Sequence, residues 1–352
     1  MTPRQLRALF IGFGNVGQKV AEILFLERER FPNLRDLDLS VVGIVTKTHG
    51  ALVNNNGVDV VKALREIREL GRFSWTNFEL VSISGLDAAR QLEYDVLVEL
   101  STLSINERGE PALLHIHEAL QRKRHVVTAN KGPLAFAYSD LKSLADENGC
   151  RLLYESTVMD GTPLFSLAQS GLRGCTITGL KGILNSTTNF VLSRMEQGER
   201  LEDAVKTAQK EGFAEADPGH DLEGWDAAAK IAVLANTMMG ATITPFDVDR
   251  QGITHLQVED VQKVSKAGKH LKLICTAKRE GAAVRARVAL EEIPHGDPFA
   301  PVGESGSILS IETDLMAPII ITETDPTLSD TAYGVINDLL SLRDECRVSG
   351  IR

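Results

Sequence analysis

A short apolar run, Arg7-Ala8-Leu9-Phe10-Ile11, ends at Gly12 and opens into Gly12-Phe13-Gly14-Asn15-Val16-Gly17. The run fits a buried strand. After the glycines, Val20, Ile23, Leu24 and Leu26 precede a charged stretch, the pattern of an amphipathic helix. Residues 38–46 read as a second strand. Strand, glycine turn, helix and strand make one βαβ unit. In that setting each glycine of G-x-G-x-x-G has a reason. The first permits the tight turn, the second lets backbone approach a pyrophosphate, and the third lets helix and strand pack closely. The helix start offers unpaired N–H groups to phosphate. The turn therefore predicts dinucleotide binding through Gly12, Gly14, Asn15, Val16 and Gly17. The alternative is a packing turn beside some other ligand.

The same alternation continues. Strands are expected at 95–101, 125–129 and 150–156, and helices at 60–70, within the polar region 49–75, and at Pro111–Gln121. A further helix is expected to open with Ser139 as its N-cap. This is an α/β chain with an N-terminal, doubly wound parallel sheet of Rossmann type. The pattern changes after about residue 160. Helices at 163–171, 187–197, 201–211 and 222–239 accompany strands at 176–184, 270–278 and 283–292, a second domain of α+β type. A last helix, Thr331–Leu342, can return to the first domain. The domain boundaries are set at 1–150, completed by 325–352, and at 151–324.

Bulk properties narrow the function. The 352 residues carry a formal net charge of −10, which argues against a nucleic-acid partner. No apolar run reaches the length that spans a bilayer, and the start shows no signal-peptide pattern. Cys150, Cys175, Cys275 and Cys346 are far apart, with neither zinc nor disulfide spacing. A cytoplasmic protein with reduced thiols is expected.

An acid at the end of the second strand would mark NAD ribose. The chain reads Val45-Thr46-Lys47-Thr48-His49 there. Lys47 meets a 2′-phosphate, favouring NADP over NAD, or is a solvated loop lysine.

Four further segments resemble the homoserine dehydrogenase family: GEPALLHIHEAL (109–120), HVVTANKGPLA (125–135), GILNSTTNFVL (182–192) and EGFAEADPGHDLEGWDAAAKIAVLA (211–235). They match in order and spacing over most of residues 7–240. The resemblance implies NAD(P)-linked interconversion of homoserine and aspartate 4-semialdehyde by a homodimer. It implies Lys131 and Lys230 as lysines flanking the reacting carbon, with Asp226 one helical turn before Lys230. Glu215 and Asp221 then meet the substrate's amino group or hydroxyl, with Asp226 beside them. Ser186 and Thr187 contact substrate, and Ser101, Thr102 and Lys131 lie near the nicotinamide. Glu155, Val158, Asp160 and Thr162 fall where the family often holds Na+ or K+ through backbone carbonyls. A different amino or hydroxy acid as substrate, or a non-catalytic metabolite-binding role, are the alternatives.

The residues make chemical sense alone. Alcohol oxidation needs a group to take the hydroxyl proton, and the reverse needs positive charge at the carbonyl oxygen. Asp226 and Lys230 stand i,i+4 and share a helix face. By default such a pair is a solvated surface bridge.

The chain departs from the family at four places. Ser186 stands where the family has Gly, Phe213 where some members have Tyr, and Asp160 where a small residue is usual. The stretch Thr324–Asp330 lacks the glycine-rich turn that faces the cofactor. Asp325 or Asp330 beside a pyrophosphate is expected to be unfavourable, and the backbone there is expected to lack the conformation that glycine permits. The absence of an ACT-type domain makes threonine feedback of the long-form kind unexpected.

Overall fold

The computed structural model describes residues 5–74, 80–303 and 305–349. Residues 1–4 and 350–352, the outer ends of the expected first domain, and residue 75 of the polar region lie outside them. The chain divides into two compact units, 1–164 with 327–352, and 165–326.

Seven strands form the sheet of the first unit: β1 (Leu6–Ile11), β2 (Leu39–Val45), β3 (Ala51–Val53), β4 (Leu80–Val81), β5 (Val96–Glu99), β6 (His125–Thr128) and β7 (Leu152–Leu153). Their order is β4-β3-β2-β1-β5-β6-β7. From β2 through β1, β5 and β6 to β7 every pairing is parallel. Such strands are covered on both faces and read as continuous apolar runs; Val96–Glu99 is buried throughout. Strands β3 and β4 extend this sheet antiparallel at one edge. Strand β3 lies in the polar stretch 49–75, where no strand was expected, and β4 lies beyond its end. The chain leaves β1 toward β2 and later returns to β5 on the other side. The β1/β5 boundary is therefore the topological switch point, where α/β sheets bind ligands.

The helix Leu328–Ser349 belongs to this unit. Its Ala332, Val335, Ile336, Leu339 and Leu342 share a core with Phe10, Val98, Val127 and Leu153. Gly161 and Gly334 make that fit possible. A Cβ on Gly161 would fall 2.2 Å from the Asp330 carbonyl oxygen, and one on Gly334 would fall 3.1 Å from Gly161 Cα.

The expected helix start at Ser139 is corrected. The helix runs Lys131–Glu147, and Ser139 lies inside it beyond an irregular Ala137 (φ −146°). Its N-cap is Asn130, whose Oδ1 accepts from Gly132 N at 2.9 Å. Pro133 falls in the first turn, where its missing N–H leaves no bond unmade.

In the second unit, β8 (Ile177–Ile183), β9 (Asp249–Arg250), β10 (Lys269–Glu280), β11 (Ala283–Pro294), β12 (Ser307–Thr313) and β13 (Ile319–Glu323) form a sheet ordered β13-β12-β8-β10-β11-β9. All pairings are antiparallel except β9 with β11. The expected helix 222–239 is two, Gly219–Leu222 and Trp225–Met239. Gly224 at φ +81° separates them, in a region side chains rarely adopt.

Candidate active site

At the glycine turn, Gly12 takes φ +97°, and a Cβ there would stand 2.5 Å from the Leu100 carbonyl carbon and oxygen. Gly17 carries no positive φ, but its Cβ would meet Gly12 O at 3.2 Å. These two glycines are required by the protein's own packing. Gly14 is not. Its φ is −78°, it caps the helix Asn15–Ala21, and a Cβ there would meet nothing within 4 Å. An open glycine backbone at a helix start is the cradle a pyrophosphate needs, so the residues present fit a dinucleotide. Asn15 is exposed and Val16 half-buried against the core. Lys47 is exposed just beyond β2, in a turn where His49 N donates to Thr46 Oγ1 at 2.8 Å.

At the switch point, Glu99 ends β5 fully buried. It accepts from Ser101 Oγ at 2.5 Å. Asn130 Nδ2 donates to Ser101 O at 3.0 Å and to Thr102 O at 3.4 Å. One asparagine thus ties the Ser101–Thr102 loop to the helix whose first residue is Lys131, which is half-buried. Sequence reasoning assigned no role to Glu99 or Asn130. The signals were an acid inside an apolar strand and an N-cap residue before Lys-Gly-Pro.

In the second unit, four polar side chains meet. Lys230 and Asp226, on the helix Trp225–Met239, are paired at 2.9 Å with 19% and 14% side-chain exposure. Lys230 Nζ also donates to Leu184 O at 2.7 Å. Asn185 Nδ2 donates to Asp221 Oδ1 at 2.7 Å and to Asp226 Oδ2 at 2.8 Å. The pair is therefore not a solvated surface bridge; it is held by a neighbouring carbonyl and amide. Asn185 was passed over in sequence, although it precedes a helix as N-cap residues do.

Ser186 is the first residue of the helix Ser186–Glu196 and is half-buried. Thr187 is buried and donates to Phe213 O at 2.7 Å. Phe213 stacks on Phe190 with ring centroids 4.7 Å apart, so this ring serves packing without a hydroxyl. Glu215 is exposed, and Gln209 Nε2 donates to its backbone carbonyl at 3.1 Å. Beneath Lys230's helix, Cys275 is fully buried with its Sγ 3.9 Å from Ala227 O. Burial pushes its thiol up to about 12, against the pull of Lys230.

In the loop after β7, Glu155 and Val158 are buried, and Glu155 N donates to Asp338 Oδ2 at 2.9 Å. Burial raises the Asp338 carboxyl well above the usual carboxylate range, offset in part by that N–H. Asp160, at φ +50°, accepts from Thr331 Oγ1 at 2.5 Å, and Thr162 N donates to Met159 O at 2.9 Å. Among the described residues no group of three or more His, Cys, Asp or Glu side chains forms a metal cluster.

One expectation about the C-terminal loop is corrected. Asp325 takes the left-handed conformation itself, at φ +48°, and Ser305 Oγ donates to its carboxylate at 2.8 Å. Aspartate tolerates that region better than most side chains. Asp330 is engaged in capping its own helix, accepting from Thr327 N at 2.7 Å.

Comparison with known proteins follows these outlines. Residues 12–155 match the model of the homoserine dehydrogenase NAD binding domain, and residues 163–340 that of homoserine dehydrogenase. The NAD(+)-dependent homoserine dehydrogenase of Pseudomonas canavaninivorans is 31% identical, over 96% of both chains. The crystal structure of a putative homoserine dehydrogenase from Archaeoglobus fulgidus superposes with a TM-score of 0.84 at 33% identity, covering 96% of this chain and 99% of that one. A hyperthermophilic archaeal homoserine dehydrogenase in complex with NADPH gives 0.80 at 25% identity, over 96% and 97%. The chain belongs to the homoserine dehydrogenase family. As a member it is an NAD(P)-dependent oxidoreductase, with the Rossmann sheet as its NAD(P)-binding part. None of its described helices is long and apolar enough to cross a membrane.

Proposed function

We propose that this homoserine dehydrogenase family member interconverts L-homoserine and L-aspartate 4-semialdehyde as a cytoplasmic homodimer. The observation that carries the reading is the Asp226–Lys230 pair, held at 2.9 Å and seated on the Leu184 carbonyl. When bound, NAD(P) supplies the hydride acceptor or donor. The protein's part is to place substrate and to manage one proton. In the reducing direction Lys230 Nζ donates to the carbonyl oxygen and gives it a proton; in the oxidising direction the hydroxyl proton returns to that nitrogen. Asp226 keeps the lysine's charge available and orients it. Asp221 and Glu215 receive the substrate's ammonium group, and Ser186 and Thr187 line its carbon chain. Lys131 supplies a second ammonium for the reaction. Gly12, Gly14, Asn15, Val16 and Gly17 seat the cofactor's pyrophosphate, and Ser101 and Thr102 its nicotinamide side. Lys47 is the residue to meet a 2′-phosphate. The loop of Glu155, Val158, Asp160 and Thr162 offers carbonyls to Na+ or K+.

The test is spectrophotometric. Purified protein is mixed with NAD or NADP and a panel of amino-acid alcohols and hydroxy acids, and the reduced nicotinamide band is followed. Homoserine turnover that falls at least about 100-fold in Lys230→Ala is expected. Turnover of another substrate alone, or cofactor binding without turnover, overturns the reading.

A further inference from the structure

Asn185 is 5% exposed, and both ends of its amide are committed. Oδ1 accepts from Thr188 N and from Thr188 Oγ1, each at 2.8 Å. This fixes which end is oxygen, because the reversed amide would point N–H at N–H and oxygen at two carboxylates. Nδ2 then has two hydrogens, and each has an acid: Asp221 Oδ1 at 2.7 Å and Asp226 Oδ2 at 2.8 Å. Two carboxylates thus stand within reach of a single NH2 group.

An amide holds acids differently from a lysine or arginine. It satisfies their lone pairs without cancelling their charge. Asp221 and Asp226 bring two negative charges to the cluster, and Lys230 returns one positive charge. Within the quartet two acids share one amide and one of them a lysine, at a spacing set by a neutral residue.

We propose that Asn185 is a positioning residue that fixes the separation of Asp221 and Asp226, and through them selects substrates bearing an ammonium group over deaminated hydroxy acids. The inference rests on the reading that these acids face substrate. It adds that the selecting geometry is set by a residue at the helix cap. The Asn185 oxygen caps the helix Ser186–Glu196, so the helix and the acid pair are registered by one side chain.

The two ends of the amide can be separated by substitution. Asn185→Asp keeps a capping oxygen and the same volume, but replaces both donors with a third carboxylate. Asn185→Ser keeps a capping oxygen, loses the donors and adds no charge. Both variants are expected to fold. The KM for the amino-acid alcohol should rise at least about tenfold in Asn185→Ser and further in Asn185→Asp, since charge-assisted bonds to both acids are lost. The dissociation constant for NADPH, measured by fluorescence without substrate, should stay within about twofold of wild type, because the nucleotide turn is untouched. Asn185→Asp should melt below Asn185→Ser, because its added carboxylate faces two others. An Asn185→Asp variant that melts at or above the serine variant overturns the proposal, as does an unchanged KM. The melting order is read whether or not wild type oxidises homoserine, so loss of the functional reading is distinguishable from loss of this one.

Discussion

Thr327 gives both its backbone N–H and its hydroxyl to one carboxylate oxygen of Asp330, each at 2.7 Å, while Ser329 N–H donates to Thr327 Oγ1 at 3.2 Å. This is a reciprocal cap, with the acid in the third helical position reaching back to the residue before the helix. Asp330→Ala should lose about 1 kcal/mol of stability. Urea unfolding followed by circular dichroism checks it. A variant as stable as wild type would mean that the carboxylate does not cap.

The three glycines of the nucleotide turn should respond differently. Gly12→Ala meets backbone at 2.5 Å in a left-handed conformation, so it should lower the melting temperature and impair folding. Gly14→Val has open space around it and should melt near wild type, yet bind NADPH at least about 100-fold more weakly by blocking close approach. Fluorescence titration and a melting curve on the same sample decide it. Unchanged affinity in Gly14→Val assigns the turn to packing alone.

Gly161→Ala should be among the most damaging single-methyl additions. Its Cβ would fall 2.2 Å from the Asp330 carbonyl oxygen, and neither partner is a flexible side-chain end. Overpacking of this kind costs about 1–3 kcal/mol or more. The melting midpoint measures it, and a shift no larger than that of Asp330→Ala contradicts the close fit.

The Cys275 thiol is pushed up to about 12 by burial, and the Tyr94 hydroxyl likewise to about 12 by burial, against nearby Arg122. Both groups stay neutral in the folded chain at pH values where the unfolded chain releases their protons. Their contribution is therefore constant below about pH 9 and is lost as pH climbs from about 9 toward 12, by at most about 1.4 kcal/mol per pH unit for each group. Unfolding midpoints across that window should fall steeply in wild type and less steeply in Cys275→Ala, apart from a constant loss from the smaller side chain. Parallel slopes would show that the folded Cys275 thiol releases its proton as readily as the unfolded one.

What could be read from sequence follows physical range. The β1 strand, the glycine turn and the Asp226–Lys230 pair are local patterns whose residues lie within a few positions of each other. The helix Val60–Leu70 was equally plain, bounded by Asp59 as N-cap and Gly71 at φ +68°. The antiparallel strands β3 and β4 were not legible, because they are short and their pairing is decided by the partner strand's edge. The Ser139 reading found the stretch beyond the kink at Ala137, two residues late, and missed the start at Lys131, because the Gly-Pro after Lys131 resembles a break although it suits a first turn. In the acid–lysine cluster the charged members were visible, but Asn185 was not. Its role depends on acids at 221 and 226, brought to it only by folding. The capping bonds of Asp330 were not read from sequence, although Thr327 stands three residues before it, the spacing of a capping box.

The interlocked pair Gly161 and Gly334 bears on the order in which the molecule can be made. The loop holding Gly161 leaves the ribosome long before the helix that covers it, and all of Phe165–Pro326 is synthesised in between. The nucleotide-binding sheet must wait with part of one face uncovered while a whole second domain emerges, and its core is completed only when residues 328–349 arrive. A nascent chain stalled before residue 328 should therefore present Phe10, Val98 and Leu153 to chaperones rather than to its own last helix.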